Sequence, residues 1–243
     1  AAGDEEHAQT GIKHFAGLDY PLARAVMGEP TRLQPILQHK GVVRWDITVH
    51  GRSAHSSQPE LGQDAIAGAM RVLQGLGEHR ERLAARFASP WLTGPTLTVT
   101  MIHGGRTRNA VADECTLSVD FRVLPGMPPA QSRDEVISSL AALGLELSHS
   151  EPQVMTPPLA TTEHDPFART ALDICRRVTG RSELEFAGAP YGTDAAWMAD
   201  RASTIVLGPG SIDSAHAVNE HIEIDEVACA ARIYYELLMS EPA

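Results

Sequence analysis

Three strands with one buried face, in the middle of the chain, constrain the fold most. Residues 43–49, 97–101 and 117–123 each alternate apolar with polar side chains. A period of two places the apolar side chains of a strand on one face, so each segment predicts a strand that covers a core with one side only. An apolar pair at residues 145–147 predicts a last, shorter strand.

Helical patterns stand between these strands. Residues 64–76 carry apolar side chains at spacings of three and four, which is typical of a helix that packs with one face. Ser132 and Glu135 have the spacing of a capping box, so a second helix is expected to begin there. The resulting order, β-α-β-β-α-β, is that of a ferredoxin-like unit. We therefore expect residues 39–156 to form an inserted domain, closed by a Pro-rich linker at residues 152–158.

The sequence on both sides of this insertion alternates strands with helices. Strands are expected at residues 23–27, 184–186 and 203–206, and helices at residues 165–178 and 225–239. Such alternation is typical of an α/β domain. Residues 1–38 and 157–243 are therefore expected to form one α/β domain that the insertion splits.

The composition argues against two classes of function. The chain has 243 residues and a formal net charge of −11, whereas contact with nucleic-acid phosphates needs clustered Lys and Arg. No apolar run reaches the length of about 18 residues that a transmembrane helix needs, so no membrane partner is expected. Cys115, Cys175 and Cys229 are widely spaced, which fits a reducing compartment such as the cytoplasm better than a disulfide framework.

Acidic and imidazole side chains stand near the predicted strand ends of the split domain. Glu29 comes directly after the first of these strands, and sites in α/β sheets gather at the carboxyl ends of strands. His216 lies in the loop that follows the last one. Of the adjacent acids Glu5 and Glu6, one could bind a metal while the other handles a proton. Each of these residues could equally be a solvated surface group, and the pattern alone leaves both interpretations open.

Short motifs along nearly the whole chain, taken in order, resemble one family. The motifs are Asp4-Glu5-Glu6, Gly28-Glu29-Pro30-Thr31, His39-Lys40-Gly41, His55-Ser56, Gly104-Gly105 with Asn109, Asp120-Phe121-Arg122, Gly192-Thr193-Asp194, and Gly208-Pro209-Gly210 with His216. In this ordered set the chain is similar to the binuclear zinc amidohydrolases and metallopeptidases. The resemblance implies an α/β, zinc-peptidase-like catalytic domain with an inserted ferredoxin-like dimerisation lid.

The resemblance also implies catalytic and metal-binding roles. Glu5 would be the general base, and His55 would stabilise the oxyanion in the site of a partner copy. Glu6 and His216 would bind one divalent metal ion, and Glu29 the other. Zinc is the first candidate because it accepts imidazole nitrogen and carboxylate oxygen, although such sites also accept cobalt or manganese.

Further residues would hold the substrate if the resemblance extends to them. These are Asn109, Arg122, Gly192 and Thr193, with Lys40 as a weaker candidate. A guanidinium such as that of Arg122 suits a carboxylate because it can bind both oxygens. The implied reaction is hydrolysis of the amide bond of an N-acyl amino acid by a homodimer. N-acetylornithine, an intermediate of arginine biosynthesis, is the first candidate substrate, and N-succinyl-diaminopimelate or another N-acyl amino acid is the alternative.

The chain departs from the family pattern at its beginning. The family's His–Asp pair and bridging Asp come before the acidic motif, whereas only Ala1, Ala2 and Gly3 precede that motif here. Two hypotheses therefore stay open. The chain is either the C-terminal part of a metal-dependent amide hydrolase, inactive by itself, or a non-catalytic dimerisation fragment.

Overall fold

The chain divides into two compact units. The computed structural model describes residues 9–215 and 217–240. We call Ala1–Lys40, Pro90–Leu92 and Pro158–Ala243 the outer unit, and Gly41–Ser89 and Thr93–Pro157 the inserted unit.

Helices and strands alternate through the described residues. The α-helices there are α1 (Thr10–Ala16), α2 (Ala65–Arg86), α3 (Pro129–Ala141), α4 (Pro166–Thr179) and α5 (Ile224–Met239). The strands there are β1 (Arg24–Met27), β2 (Ile36–His39), β3 (Gly41–His50), β4 (Thr96–Gly104), β5 (Glu114–Val123), β6 (Leu147–His149), β7 (Val154–Thr156), β8 (Leu159–Ala160), β9 (Ala187–Ala189) and β10 (Ser203–Val206). Short 3-10 helices lie at Pro59–Leu61, Asp194–Trp197 and Ile212–Ser214. None of the helices in this part of the chain is long and apolar enough to cross a membrane.

The inserted unit is one antiparallel sheet with α2 and α3 packed on it. Its strand order is β4-β5-β3-β6, with β7 also paired to β3. The alternating side chains of β3 and β5 bury Trp45, Ile47, Leu117 and Phe121, each at most 1% exposed. Burial of each such side chain contributes about 1.5–3 kcal/mol. From β3 to β6 the observed element order is the β-α-β-β-α-β order that the sequence predicts, and β7 follows as a further strand.

Two local predictions for this unit are wrong. The α3 helix begins at Pro129 with Pro128 as its N-cap and without a side-chain cap, so Ser132 and Glu135 do not form a capping box. Proline at the first helical position has a φ already suited to the helix, and the buried Ser132 lies one turn inside it. The stretch predicted to be a linker contains β7, which pairs with β3.

The outer unit has a mixed sheet covered by α4 and α5. Its strand order is β1-β10-β2-β8, with β9 also paired to β2. β1 and β10 run parallel, from the pair Arg24↔Ser203 to the pair Met27↔Val206. The apolar core includes Leu37, Leu172, Ile205 and Ile233.

The predicted strand at residues 184–186 is displaced to β9. Arg176 Nε donates to the Leu184 carbonyl at 2.8 Å, and Gln34 Nε2 donates to the Glu185 carbonyl at 2.9 Å. Side chains therefore occupy these two carbonyls. Pairing with the adjacent segment that leads into β2 starts only where the Ala187 amide donates to the Pro35 carbonyl at 3.1 Å.

Candidate functional site

Two loops lie side by side where the parallel strands β1 and β10 end. The first loop carries Glu29, and the second begins with Gly208 and leads toward position 216. The amides of Thr31 and Leu33 donate to the Gly208 carbonyl at 3.2 and 3.0 Å, and the amide of Arg32 donates to the Gly210 carbonyl at 2.7 Å. The carboxyl ends of parallel strands form the usual ligand edge of an α/β sheet. The described part of the chain therefore places Glu29 at the edge where the sequence predicts a site.

A glycine is required at the closest approach of these loops. A Cβ built on Gly208 would lie 2.5 Å from the carbonyl oxygen of Glu29 and 3.1 Å from its amide nitrogen. Both contacts are with backbone, which cannot rotate away as a side-chain tip can. Gly208 thus allows the loop of Glu29 to close against the end of β10.

The phenol of Tyr191 is the titratable neighbour of Glu29 that sequence reasoning missed. Partial burial raises the pKa of Tyr191, and the negative charge of Glu29 raises it further. Tyr191 also packs against a core cluster that includes Leu159 and Val206. Its position directly before the Gly192-Thr193-Asp194 motif was the available signal, but the sequence does not show that this motif approaches Glu29.

The predicted substrate turn at Gly192 and Thr193 is built into the core. Thr193 is fully buried, and its hydroxyl accepts a hydrogen bond from the Ala195 amide at 3.1 Å, which caps the 3-10 helix Asp194–Trp197. Burial raises the pKa of Asp194, and a hydrogen bond with Gln9 opposes that shift. A substrate role for this turn stays a prediction, and the Thr193 hydroxyl is already engaged in the cap.

The helix that follows the acidic motif is tied to the same 3-10 helix. Gln9 precedes α1 and is buried, and its Oε1 accepts from Trp197 Nε1 at 2.9 Å. The ammonium of Lys13 lies 4.7 Å from the centre of the Trp197 ring. These two contacts hold the start of α1, from Gln9 onward, against the 3-10 helix Asp194–Trp197.

One of the three predicted metal ligands falls within the described residues. This ligand, Glu29, is a half-buried carboxylate at a strand end and has the donor chemistry that a divalent ion such as zinc accepts. Across residues 9–215 and 217–240, no three His, Cys, Asp or Glu side chains are grouped to hold a metal ion. The other two predicted ligands, Glu6 and His216, and the predicted base Glu5 lie outside those residues.

The inserted unit brings together His55 and Asn109. Ser56 donates its amide to the Asn109 carbonyl at 3.0 Å, and His55 forms an antiparallel bridge with Ala110. A cavity of about 520 Å³ lies beside this pairing; its lining includes Ser56, Asp64, Arg106 and Arg108. Two predicted site residues 54 positions apart in the numbering thus lie on adjacent hydrogen-bonded loops.

The predicted substrate ligand Arg122 already binds a carboxylate of the chain. Its Nε and Nη2 donate to the two oxygens of Asp120 at 2.6 and 3.2 Å, and Arg44 Nε donates to Asp120 Oδ2 at 2.7 Å. Burial acts to raise the pKa of Asp120, but the hydrogen bonds and charges of the two guanidinium groups outweigh it and hold that pKa below its ordinary value. The weaker candidate Lys40 is buried at 3% exposure. Substrate binding by Arg122 or Lys40 stays a prediction.

Comparison with known proteins gives one domain match and a set of full-length relatives. Residues 37–147 match the family model of the peptidase dimerisation domain. The chain is 34% identical over 236 residues to an acetylornithine deacetylase of Vibrio atlanticus, covering 93% of this chain and 60% of that protein. It is 32% identical over 238 residues to an acetylornithine deacetylase of Myxococcus xanthus, covering 94% and 60%. The chain thus spans about 60% of the length of these curated relatives.

Solved structures share the fold. An M20 family metallo-carboxypeptidase from Sulfolobus solfataricus superposes with a TM-score of 0.73 at 17% identity, covering 97% of this chain and 68% of that one. The aminopeptidase PepT from Bacillus cereus superposes with a TM-score of 0.69 at 17% identity, covering 94% and 61%. The predicted fold class, an α/β domain with an inserted dimerisation domain, is confirmed.

Proposed function

Because residues 37–147 belong to the peptidase dimerisation domain family and nearly all of the chain resembles acetylornithine deacetylases, we propose that it is part of a metal-dependent amidohydrolase. The observation that carries the proposal is the pairing of the Glu29 loop with the Gly208 loop at the ends of β1 and β10. This pairing would present a carboxylate beside the segment that leads to His216.

The proposed substrate is an N-acyl amino acid, with N-acetylornithine first and N-succinyl-diaminopimelate as the alternative. The first choice follows the activity named for the relatives at 34% and 32% identity, which are acetylornithine deacetylases. All three cysteines are free thiols, and the proposal includes the reducing cytoplasm as the place of action.

The proposed chemistry divides among the residues as follows. Glu6 and His216 would hold one divalent ion and Glu29 the other, with zinc or cobalt as the candidates. Such ions, when bound, polarise an amide carbonyl and acidify a water. Glu5 would accept the proton of that water and pass it to the leaving nitrogen. His55 would donate a hydrogen bond to the developing oxyanion, and preorganised donors of this kind are worth about 3–4 kcal/mol in the transition state.

The proposal is tested with a joined protein, in which this chain is fused to the part of its relatives that it does not span. The measured quantity is the hydrolytic activity of this joined protein. N-acetylornithine hydrolysis with added zinc or cobalt is expected, and Glu5→Gln and Glu29→Gln should each abolish it. Glu163→Gln changes an exposed glutamate of the same unit and should leave turnover unchanged. The 243-residue chain alone is expected to be inactive. Equal loss in the Glu163 variant, or no hydrolysis of any N-acyl amino acid by the joined protein, would contradict the assignment.

A homodimer formed through the inserted unit is part of the same proposal. β4 ends the strand order of that unit, so its outer edge has no partner strand among the described residues. Met101 and Ile102 on β4 are 56% and 50% exposed, and Met70 on α2 is 67% exposed. Ile66 of α2 lies over the end of β4, where a Cβ on Gly104 would be 3.1 Å from its Cγ1. An edge strand flanked by exposed apolar side chains is a template for pairing with a second copy.

A further inference from the structure

The last helix of the outer unit, α5, has apolar side chains on two separate faces. One face carries Ala230, Ile233 and Leu237, which are buried in the core that α5 shares with α4. The other face is exposed to solvent, and Ile224 at its start is 84% exposed. We call this exposed side the outer face of α5; it consists of Ile224, Val227, Ala228, Ala231, Tyr235, Leu238 and Met239.

The outer face of α5 is one continuous apolar stripe. At about 100° of rotation per residue, its members fall within an arc of about 120° around the helix axis. The charged residues of α5 lie outside this arc, and Asp225, Arg232 and Glu236 form a narrow strip along one side of it. A helix that is apolar on nearly every side is typical of a buried position. We therefore expect another element to cover the outer face.

An open sheet edge lies in the same unit, at β1. This strand ends the strand order, and successive residues of a strand in a parallel pair direct their amides to alternate sides. The Met27 carbonyl accepts from the Leu207 amide, directly after β10, at 2.9 Å, so Ala25 and Met27 face β10. The amides and carbonyls of Arg24 and Val26 consequently face the other side of β1, where the described residues place no strand.

A cavity connects this open edge with the outer face of α5. Its volume is about 340 Å³, and its lining includes Val26, Phe167, Leu237 and Leu238. The guanidinium of Arg24, which also lines the cavity, lies 5.4 Å from the centre of the Phe167 ring. Leu238 belongs to both the cavity and the outer face. The strand edge, the cavity and the helix face thus form one continuous surface.

We propose that this continuous surface binds the part of the relatives' sequence that the chain does not span. That part would add a strand to the open edge of β1 and place an apolar helix face on α5. Strand addition supplies main-chain hydrogen bonds, and side chains that enter the cavity supply specificity. The chain covers 60% of the Vibrio atlanticus relative, so a substantial length of polypeptide is available as the occupant. The identity of the occupant rests on the proposed function, whereas the need for a cover follows from the surface itself.

Two other occupants fit this surface less well. Helices that lie on membranes carry Lys and Arg beside their apolar face, whereas the strip beside this one holds Asp225 and Glu236 with Arg232 as the only cation of α5. A second copy bound here would add a self-contact to the proposed pairing through β4. Two self-pairing faces on one molecule link the copies into an open chain. A different polypeptide is therefore the favoured cover.

Hydrogen exchange at single-residue resolution tests the edge of β1 without any need for activity. The amides of Arg24 and Val26 should exchange at least about tenfold more slowly in the joined protein than in the 243-residue chain, because only the joined protein offers them a partner strand. The amides of Ala25 and Met27 face β10 in both proteins, so the ratio of rates between the two pairs removes any change in overall stability. An equal ratio in the two proteins would overturn the proposal.

One substitution tests the outer face of α5. If the joined protein is given a protease site at its junction, the two parts should stay associated after cleavage and sediment as one complex. Leu238→Glu places a charge in the expected apolar contact and should weaken this association at least about tenfold. Leu61→Glu makes the same change in the inserted unit, at a position that is 60% exposed against 79% for Leu238, and should leave the association unchanged. The 243-residue chain with either substitution should unfold at the wild-type temperature, because both side chains are exposed.

The outcomes separate this docking proposal from the proposed function. Protection of the Arg24 and Val26 amides that rises with the concentration of the chain alone would show that a second copy covers the surface, and would overturn the proposal. Equal association in the Leu238→Glu and Leu61→Glu proteins would also overturn it. If the two parts associate through α5 but hydrolyse no N-acyl amino acid, the proposed function fails and the docking surface stands. If hydrolysis occurs and Leu238→Glu leaves the association intact, the docking surface is wrong and the hydrolase assignment is kept.

Discussion

Thr31 and Gly208 lie 177 positions apart in the sequence, and both the backbone and the side chain of Thr31 form hydrogen bonds with Gly208. The Thr31 amide and hydroxyl both donate to the Gly208 carbonyl at 3.2 Å, and the Gly208 amide donates to Thr31 Oγ1 at 3.1 Å. Thr31 is only 8% exposed. One buried side chain therefore locks the Glu29 loop to the loop that follows β10.

Removal of the Thr31 hydroxyl should destabilise the chain. Thr31→Val keeps the shape of the side chain but leaves the buried Gly208 amide without its acceptor, which costs about 1–3 kcal/mol. Thr31→Ser retains the oxygen and should cost clearly less. Urea unfolding of the three proteins measures both values. A Val variant as stable as wild type would contradict the role of this hydrogen bond.

A methyl group at position 208 should be tolerated poorly. Gly208→Ala places a Cβ 2.5 Å from the Glu29 carbonyl oxygen, so the two loops have to separate, at a cost of about 1–3 kcal/mol. Gly77→Ala provides the matched control, because a Cβ at that position in α2 meets nothing within 4 Å. It should stabilise the chain by about 0.5–1 kcal/mol through helix propensity. Thermal unfolding compares them, and equal changes of Tm would exclude the steric account.

Most long elements could be predicted from the sequence because one face of each is buried. In α2, however, Ile66, Met70 and Leu73, which predict the helix, are 43%, 67% and 40% exposed. Buried and partly exposed residues alternate along the whole of β5 and along β3 from Val43 onward. The predicted α4 helix agrees with the observed one within one residue at each end. The strands β2, β7, β8 and β9 have two to four residues, which is too short for a periodic signal. Their pairing partners define them, and pairing depends on tertiary contacts that a local pattern does not contain.

In the candidate site, too, some features could be predicted from local sequence and others depend on tertiary contacts. The place of Glu29 at a strand end follows from local sequence, since residues 24–27 form a strand that stops before Gly28. The approach of Tyr191 to Glu29 and the bond from Ser57 to His55 were not predicted. The first depends on the arrangement of two segments that are distant in the sequence. The second was within reach of sequence reasoning, because serine hydroxyls often bond to groups two residues away.

Acid should destabilise the outer unit through His39. This imidazole is fully buried in β2, its Nδ1 lies 3.0 Å from the Lys40 carbonyl, and burial lowers its pKa from 6.5 to about 4. The unfolded chain therefore binds the proton more tightly than the folded chain does. The stability from neutral His39 is complete above pH 6.5 and is lost as the pH falls toward 4, by about 3 kcal/mol in total.

Comparison with a variant that cannot titrate isolates this effect from the carboxylates. The free energy of unfolding of wild type minus that of His39→Gln should be constant from pH 8 to pH 7. It should then fall by about 3 kcal/mol between pH 6.5 and pH 4. Parallel pH profiles for the two proteins would show that His39 does not carry the acid sensitivity.

Charge on the β4 edge should separate the proposed homodimer into monomers. Met101→Lys with Ile102→Lys places four cations at a two-fold pairing of β4 strands, two from each copy, and like charges directly opposite one another destabilise strand pairs. The edge side chains are 56% and 50% exposed, so the fold of one copy should tolerate lysine there. Met239→Lys makes the same chemical change at a 69% exposed position on α5 and serves as the control.

Sedimentation equilibrium at high micromolar concentration should give a dimer mass for wild type and the control, and a monomer mass for the β4 variant. Circular dichroism confirms that all three remain folded. A β4 variant that stays dimeric, or a wild-type chain that is monomeric, would contradict pairing through β4.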